Sequence, residues 1–134
     1  DNTVRHQLDA LVESGVELAV WGGTGKASAF INRYGLDSAR FPLVVDSDLS
    51  KVGTFVPGTG QQIMAPMVLN KRPVDVIVVA THWRARDIAL EIEKRGIQCA
   101  QLLLEHAGAL VDYDTGAHPY RAQEVSLDSV RRSP

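Results

Sequence analysis

The run VWGGTGKASAF, residues 20–30, places Gly22, Gly23, Thr24, Gly25 and Lys26 directly after an apolar stretch and ahead of a helical pattern. Such a turn offers an anion the unpaired N–H groups and partial positive charge of a helix N-terminus, and Lys26 adds a full charge. It is not a P-loop, because Val20 stands where the first glycine belongs and Ala27 follows Lys26. The dinucleotide fingerprint G-x-G-x-x-G is met at Gly23 and Gly25, with Ser28 in the third place. Asp46 ends the next apolar run about 20 residues on, where such a site takes an acid for ribose hydroxyls. These residues point to a nucleotide or nucleotide sugar. They equally suit a tight β–α turn with Asp46 capping a loop.

Two further groups carry chemistry. In VPGTG, residues 56–60, Pro57 and Gly58 favour a tight turn, and the Thr59 hydroxyl is a donor for a phosphate or a sugar hydroxyl. By composition the segment reads first as a structural turn. In THWR, residues 81–84, His82 exchanges protons near neutral pH, Trp83 stacks on a base or sugar, and Arg84 pairs with a phosphate. The competing reading has Thr81 capping a helix and Trp83 packed on a neighbouring loop. Metal binding is not indicated, since His6, His82, His106 and His118 lack ligand spacing and Asp112 with Asp114 lacks the other ligands of a calcium loop. No nucleophile elbow is present, and Cys99 lies in IQCAQLLL, an apolar run that reads as a buried strand.

The elements that position these groups follow from periodicity. TVRHQLDALVES puts Val4, Leu8, Leu11 and Val12 on one helical face, with Gly15 as a stop. VELAVW, 16–21, reads as a strand delivering the glycine turn, and Ala27, Phe30, Ile31 and Tyr34 repeat as a helix closed by Gly35. FPLVVD, 41–46, reads as a second strand, and 47–73 is too rich in glycine and proline for a long regular element. VDVIVVAT, 74–81, is a continuous apolar run suited to a sheet covered on both faces, and His82, Trp83 and Arg84 follow it. WRARDIALEIEKR then reads as an amphipathic helix capped by Gly96, and IQCAQLLLE, 97–105, as a further strand. Strands alternating with helices predict a small Rossmann-like three-layer α/β domain over 16–105, with a mostly parallel sheet of about four to five strands. Residues 1–15 read as a helix from a preceding linker, and 106–134 as a hairpin or arm with a poorly ordered end.

A chain of 134 residues with 45% hydrophobic and 22% charged residues is of a size and composition for one globular domain. A net charge of −2 with scattered basic residues excludes an electrostatic footprint for nucleic acid or an anionic membrane. One cysteine cannot form an internal disulfide, which suits a reducing, cytoplasmic setting. The first residue is Asp1, so the chain reads as a piece of a larger polypeptide.

The order GGTGK, FINRYGL, VVDSD, KVGTFVPGTG, the Pro66 segment, VDVIVV and THWRARDI resembles the C-terminal domain of sugar C-methyltransferases and related S-adenosylmethionine-dependent methyltransferases. The resemblance covers about residues 16–105. It implies that Gly23, Thr24, Lys26 and Asn32, the Pro57–Gly58–Thr59 loop, and His82, Trp83 and Arg84 line a cleft facing a catalytic domain, enclosing a nucleotide-sugar substrate. It also implies that this domain carries no cofactor, and that S-adenosylmethionine, the zinc module and the catalytic base belong to an N-terminal methyltransferase region of the same chain. Lys26 and Arg84 are then phosphate contacts, Trp83 a stacking platform, and Asp46 or His82 a hydroxyl partner. Two other readings compete: an NAD(P)-binding module of an oxidoreductase, resting on Gly23, Gly25 and Asp46, and a structural domain that dimerises through an exposed apolar face of the first helix.

Overall fold

The computed structural model describes residues 1–122. Its helices are α1 (Thr3–Glu13), α2 (Lys26–Tyr34), α3 (Val68–Lys71) and α4 (Ala85–Lys94). Its strands are β1 (Leu18–Trp21), β2 (Val44–Val45), β3 (Ile63–Met64), β4 (Val76–Val79), β5 (Gln101–His106) and β6 (Ala109–Asp112). They form one sheet in the order β3-β2-β1-β4-β5-β6, parallel throughout except for the antiparallel β5–β6 pair. The poorly ordered end expected of the tail lies outside the described residues.

Side-chain alternation divides the core in two. Val20, Val44, Val76, Val78 and Leu103 point to one face, where they meet Val4 and Leu8 of α1 and Ala27 and Ile31 of α2. Ala19, Trp21, Val45, Ile77 and Val79 point to the other, against Leu69 of α3 and Ala85 and Ile88 of α4. Both faces are covered, so the central strands are apolar at every position, as the runs VELAVW and VDVIVVAT require. The three-layer α/β architecture expected from the alternating pattern is the one observed.

The sheet has six strands rather than four to five. β3 escapes periodicity because it is two residues long inside the breaker-rich region, and β6 pairs with β5 through the two-residue turn Ala107–Gly108. Both turn residues have positive φ, 51° and 84°, which matches the right-handed twist of the flanking strands. The paired strands are shorter than the apolar runs that contain them. In FPLVVD the strand proper is Val44–Val45, with the Leu43 carbonyl and the Asp46 N–H bonded to β1 and β3 at its ends; it extends no further back because Pro42 has no N–H and that of Phe41 donates to the Asp37 carbonyl at 2.8 Å. Cys99 is not in a strand: it precedes β5 and is half-buried.

The apolar face of α1 is not an exposed interface. Val4 and Leu8 are 2% and 1% exposed within the core, and Gln7 clamps the helix to β6. The Gln7 side chain accepts from the Leu110 N–H at 2.7 Å and donates to the Leu110 carbonyl at 3.0 Å. No helix among the described residues is long and apolar enough to cross a membrane.

Gln61 is a polar side chain sunk in this core, at 4% exposure. Its amide donates to the carbonyls of Leu36 at 2.8 Å and Phe41 at 3.0 Å, and its oxygen accepts from the Thr59 hydroxyl. It thereby ties the 56–61 loop to the segment between α2 and β2. Gln61→Met fills the same space but strands two buried carbonyls, and urea unfolding should show a loss of about 2 kcal/mol. An unchanged midpoint and slope would show those carbonyls to be solvated.

Burial pushes the Cys99 thiol above its ordinary value, with the Asp114 and Asp112 carboxylates adding to the rise. The folded state therefore holds the thiol proton more tightly than the unfolded one, a stabilisation present at neutral pH and lost as pH rises through the raised value. Iodoacetamide at pH 8 should label Cys99 several-fold more slowly than glutathione, with the difference vanishing in urea. Equal rates in the native protein would contradict the assigned burial.

Candidate functional site

β1 and β4 are neighbours, and the chain leaves β1 toward β2 and β4 toward β5. In an open α/β sheet this divergence opens a crevice beyond the carboxyl ends of the strands. The glycine turn follows β1, the acidic loop 46–48 follows β2, and a 310 turn, His82–Arg84, follows β4. Thr24, Asp46, Ser47, Asp48, Thr81 and Arg84 line a cavity of about 130 Å³ among them, with Trp21 and Ile88 among its apolar walls.

The glycine turn is held by an acid of the chain itself. Asp46 accepts from the Gly23 N–H at 3.0 Å through one carboxylate oxygen, and from the Asp48 N–H at 2.9 Å through the other. The adjoining Ser47 hydroxyl accepts from the Trp21 indole N–H at 2.9 Å and donates to Glu91 at 2.7 Å, and Glu91 pairs with Arg95 at 2.7 Å. This relay fastens the acidic loop to β1 and α4. The Asp48 carboxyl is held below its ordinary value by hydrogen bonds from the Ser50 hydroxyl and N–H, with Lys51 and Arg84 adding to the effect.

Cations and an aromatic face rim the crevice. The Lys26 ammonium lies 5.4 Å from the centroid of the Trp83 ring, within cation–π range, and that indole is 48% exposed. Arg84 is exposed beside it. Two cations, two carboxylates, three hydroxyls and one open indole suit a ligand that combines negative charge, hydroxyl groups and a flat apolar face. Among the described residues, no cluster of three or more His, Cys, Asp or Glu side chains is placed to hold a metal ion.

The residues singled out in the sequence divide between two places. Thr24, Asp46 and Arg84 line the crevice and Gly23 is bonded to Asp46, while Lys26 and Trp83 meet each other next to these lining residues in the chain and the His82 ring packs against Trp83 and Tyr120. Asn32, Pro57, Gly58 and Thr59 gather farther along α2, about 9 Å from Lys26 by helical rise. There the Asn32 amide donates to the carbonyls of Ser28 and Pro57, both at 2.8 Å, and Thr59 is engaged with Gln61. Trp21, Ser47 and Glu91 carry no motif, although a tryptophan in a buried strand calls for a partner for its N–H, and Glu91 with Arg95 has helical ion-pair spacing.

A larger opening of about 730 Å³ lies elsewhere, between α4 and the β5–β6 hairpin. Its rim mixes Arg86 and Arg121 with Glu93 and Asp114 around an apolar floor, with no focus for a ligand. The convergence of charge, hydroxyl and indole at the sheet edge identifies the smaller crevice as the candidate site.

Among protein-family models, that of the C-methyltransferase C-terminal domain matches residues 1–101. Among solved structures, UDP-D-quinovosamine 4-dehydrogenase from Vibrio fischeri is similar at a TM-score of 0.47 and 14% identity, over 73% of this chain and 93% of that one. No curated protein matches the chain.

Around the crevice and the 56–61 loop, two glycines are required by close approach. A Cβ on Gly23 would lie 2.7 and 2.8 Å from side-chain carbons of the fully buried Ile63. Gly58 has φ +90°, and a Cβ there would run into the Asn32 side-chain amide. Gly23→Ala should cost about 1–3 kcal/mol through overpacking, and less in an Ile63→Val background. Equal penalties in the two backgrounds, measured by denaturant unfolding, would exclude Ile63 as the obstacle.

Proposed function

The chain belongs to the C-methyltransferase C-terminal domain family, and from that membership we propose that it is the substrate-side domain of an S-adenosylmethionine-dependent methyltransferase acting on a nucleotide-linked sugar. The observation that carries this reading is the pairing of Lys26 with the exposed face of Trp83 beside Arg84, at the crevice between β1 and β4. Lys26 and Arg84 take the diphosphate, Trp83 stacks on the base or sugar, and the carboxylate and hydroxyl groups of Asp46, Thr24 and Thr81 receive sugar hydroxyls.

The domain positions and does not itself react. Holding the acceptor sugar in one orientation turns methyl transfer into an effectively intramolecular event. A cavity of about 130 Å³ falls below the roughly 300–1,000 Å³ of ordinary ligand pockets. Neither S-adenosylmethionine nor a whole nucleotide sugar fits inside it, which supports seating the methyl donor in a catalytic domain that supplies the opposite wall. That partner domain closes over a ligand the crevice already grips by its phosphates, in a cytoplasmic enzyme of glycan or surface-polysaccharide synthesis.

Asp46 also bears on the dinucleotide alternative. A pyrophosphate on the turn would meet a carboxylate already bonded to the Gly23 N–H, one of the donors such a ligand would use.

Calorimetric titration with a thymidine-diphosphate sugar, other nucleotide sugars, NAD(H) and S-adenosylmethionine tests the reading. Saturable binding of a nucleotide sugar is expected, weakened about tenfold by Lys26→Ala and by Arg84→Ala as charge-assisted contacts are lost. Binding of NAD(H) alone, or nucleotide-sugar binding indifferent to both substitutions, would overturn it.

A further inference from the structure

The 310 turn His82–Arg84 carries two of the groups proposed to meet the ligand, Trp83 and Arg84, yet it is three residues long and Thr81 provides no side-chain cap for it. Its local backbone ties are the Arg84 N–H to the Thr81 carbonyl at 2.9 Å and the Ala85 N–H to the His82 carbonyl, where α4 begins. A turn this short does not fix the direction of an exposed indole by itself. Packing supplies the constraint. The His82 ring meets Trp83 edge-on, centroids 4.9 Å apart at 88°, and also meets the Tyr120 ring at 5.2 Å.

Tyr120 belongs to a second 310 turn, Pro119–Arg121, beyond the residues matched by the family model, which ends at 101. That turn is anchored to the β5–β6 hairpin. The His118 ring accepts from the Tyr120 N–H at 3.1 Å through Nδ1, and its Nε2 pairs with the Tyr113 carbonyl at 2.7 Å. Arg121 donates to the carbonyls of Tyr113 at 2.6 Å and Gly116 at 2.8 Å. His106 on β5 packs against the Tyr120 ring, centroids 5.9 Å apart. A continuous line of contacts thus runs from the hairpin through Tyr120 and His82 to Trp83 and the Lys26 ammonium.

We infer that Tyr120 is a positioning residue, holding His82 and through it the Trp83–Arg84 face of the crevice in its ligand-facing arrangement. The segment after the family match is thereby part of the site's support. His82 takes the role of a link in contact with both rings. The inference rests on the reading of the crevice above only for its consequence on binding; the packing claim stands apart from it.

Proton NMR of the chain tests both parts. In the unaltered protein, cross-relaxation peaks should link the Tyr120 ring protons to the His82 imidazole, and their absence would overturn the inference without any variant. Tyr120→Leu should shift the His82 ring protons and the Trp83 indole N–H, while resonances of Val20 and Val78 in the distant core stay in place. Tyr120→Phe, which keeps the ring and loses the hydroxyl, should restore the original positions. Unmoved His82 and Trp83 signals in Tyr120→Leu, or a Tyr120→Phe spectrum like that of Tyr120→Leu, would refute positioning by ring packing.

Titration with a thymidine-diphosphate sugar separates the two claims. Where the unaltered chain binds it, Tyr120→Leu should weaken binding about fivefold, the scale of one aromatic contact, with Tyr120→Phe near the original. Unchanged affinity in Tyr120→Leu would refute the positioning role while leaving the substrate reading intact. Silence of the unaltered chain together with the expected NMR shifts would count against the substrate reading and uphold the packing of Tyr120.

Discussion

The carboxylate of Asp46 binds together two chain reversals whose only other direct backbone tie among the described residues is the Gly22 N–H to the Val45 carbonyl at 2.7 Å. One oxygen takes the N–H of Gly23 after β1, and the other takes the N–H of Asp48 after β2. The crevice owes its shape to this bridge. A charged acceptor inside a turn satisfies donors that a phosphate would otherwise seek, so the chain supplies part of its own anion. In the proposed function, ligand contacts accordingly fall to Lys26, Trp83 and Arg84 instead of the floor of the turn. Ser47, next in sequence, passes the constraint on to α4 through Glu91, so the rim and the helix behind it form one assembly.

Sheet alternation explains why this assembly is rigid. Trp21 and Val20 are successive residues of β1, one facing α3 and α4 and the other facing α1 and α2. Each is at most 1% exposed. A displacement of the strand end would disturb both half-cores at once, and close-packed interiors resist such shifts. The short loops at the carboxyl edge are therefore mounted on the least deformable part of the molecule.

Much of this was legible in the chain. The strand, glycine turn and helix at 18–34 follow from an apolar run, a breaker and a 3.6-residue repeat, signals local enough to survive without tertiary information. Asp46 was visible as an acid at the right distance, but not the choice between a ribose and the Gly23 N–H, because that depends on a loop-to-loop contact. The grouping of Asn32 with Gly58 was legible as an association. Its distance from Lys26 along α2 was not. β3 and β6 left little trace, being too short or too far along the tail for periodicity to register. Tyr120 bore no motif at all, since its significance lies in a contact with His82 across a long stretch of sequence. Gln61 was hidden for the same reason: nothing local marks a glutamine as buried.

The clamp between Gln7 and Leu110 joins residues 103 positions apart. Closing so long a loop carries an entropic cost that grows slowly with length, and contacts of high sequence separation form late. During synthesis, the first helix of this chain leaves the ribosome well before the strand edge it must grip. Its apolar stripe can meet Val20 and Ile31 early, but the polar clamp must wait for β6. The β5–β6 hairpin thus acts as a latch, and α1 is clamped only once that hairpin has emerged.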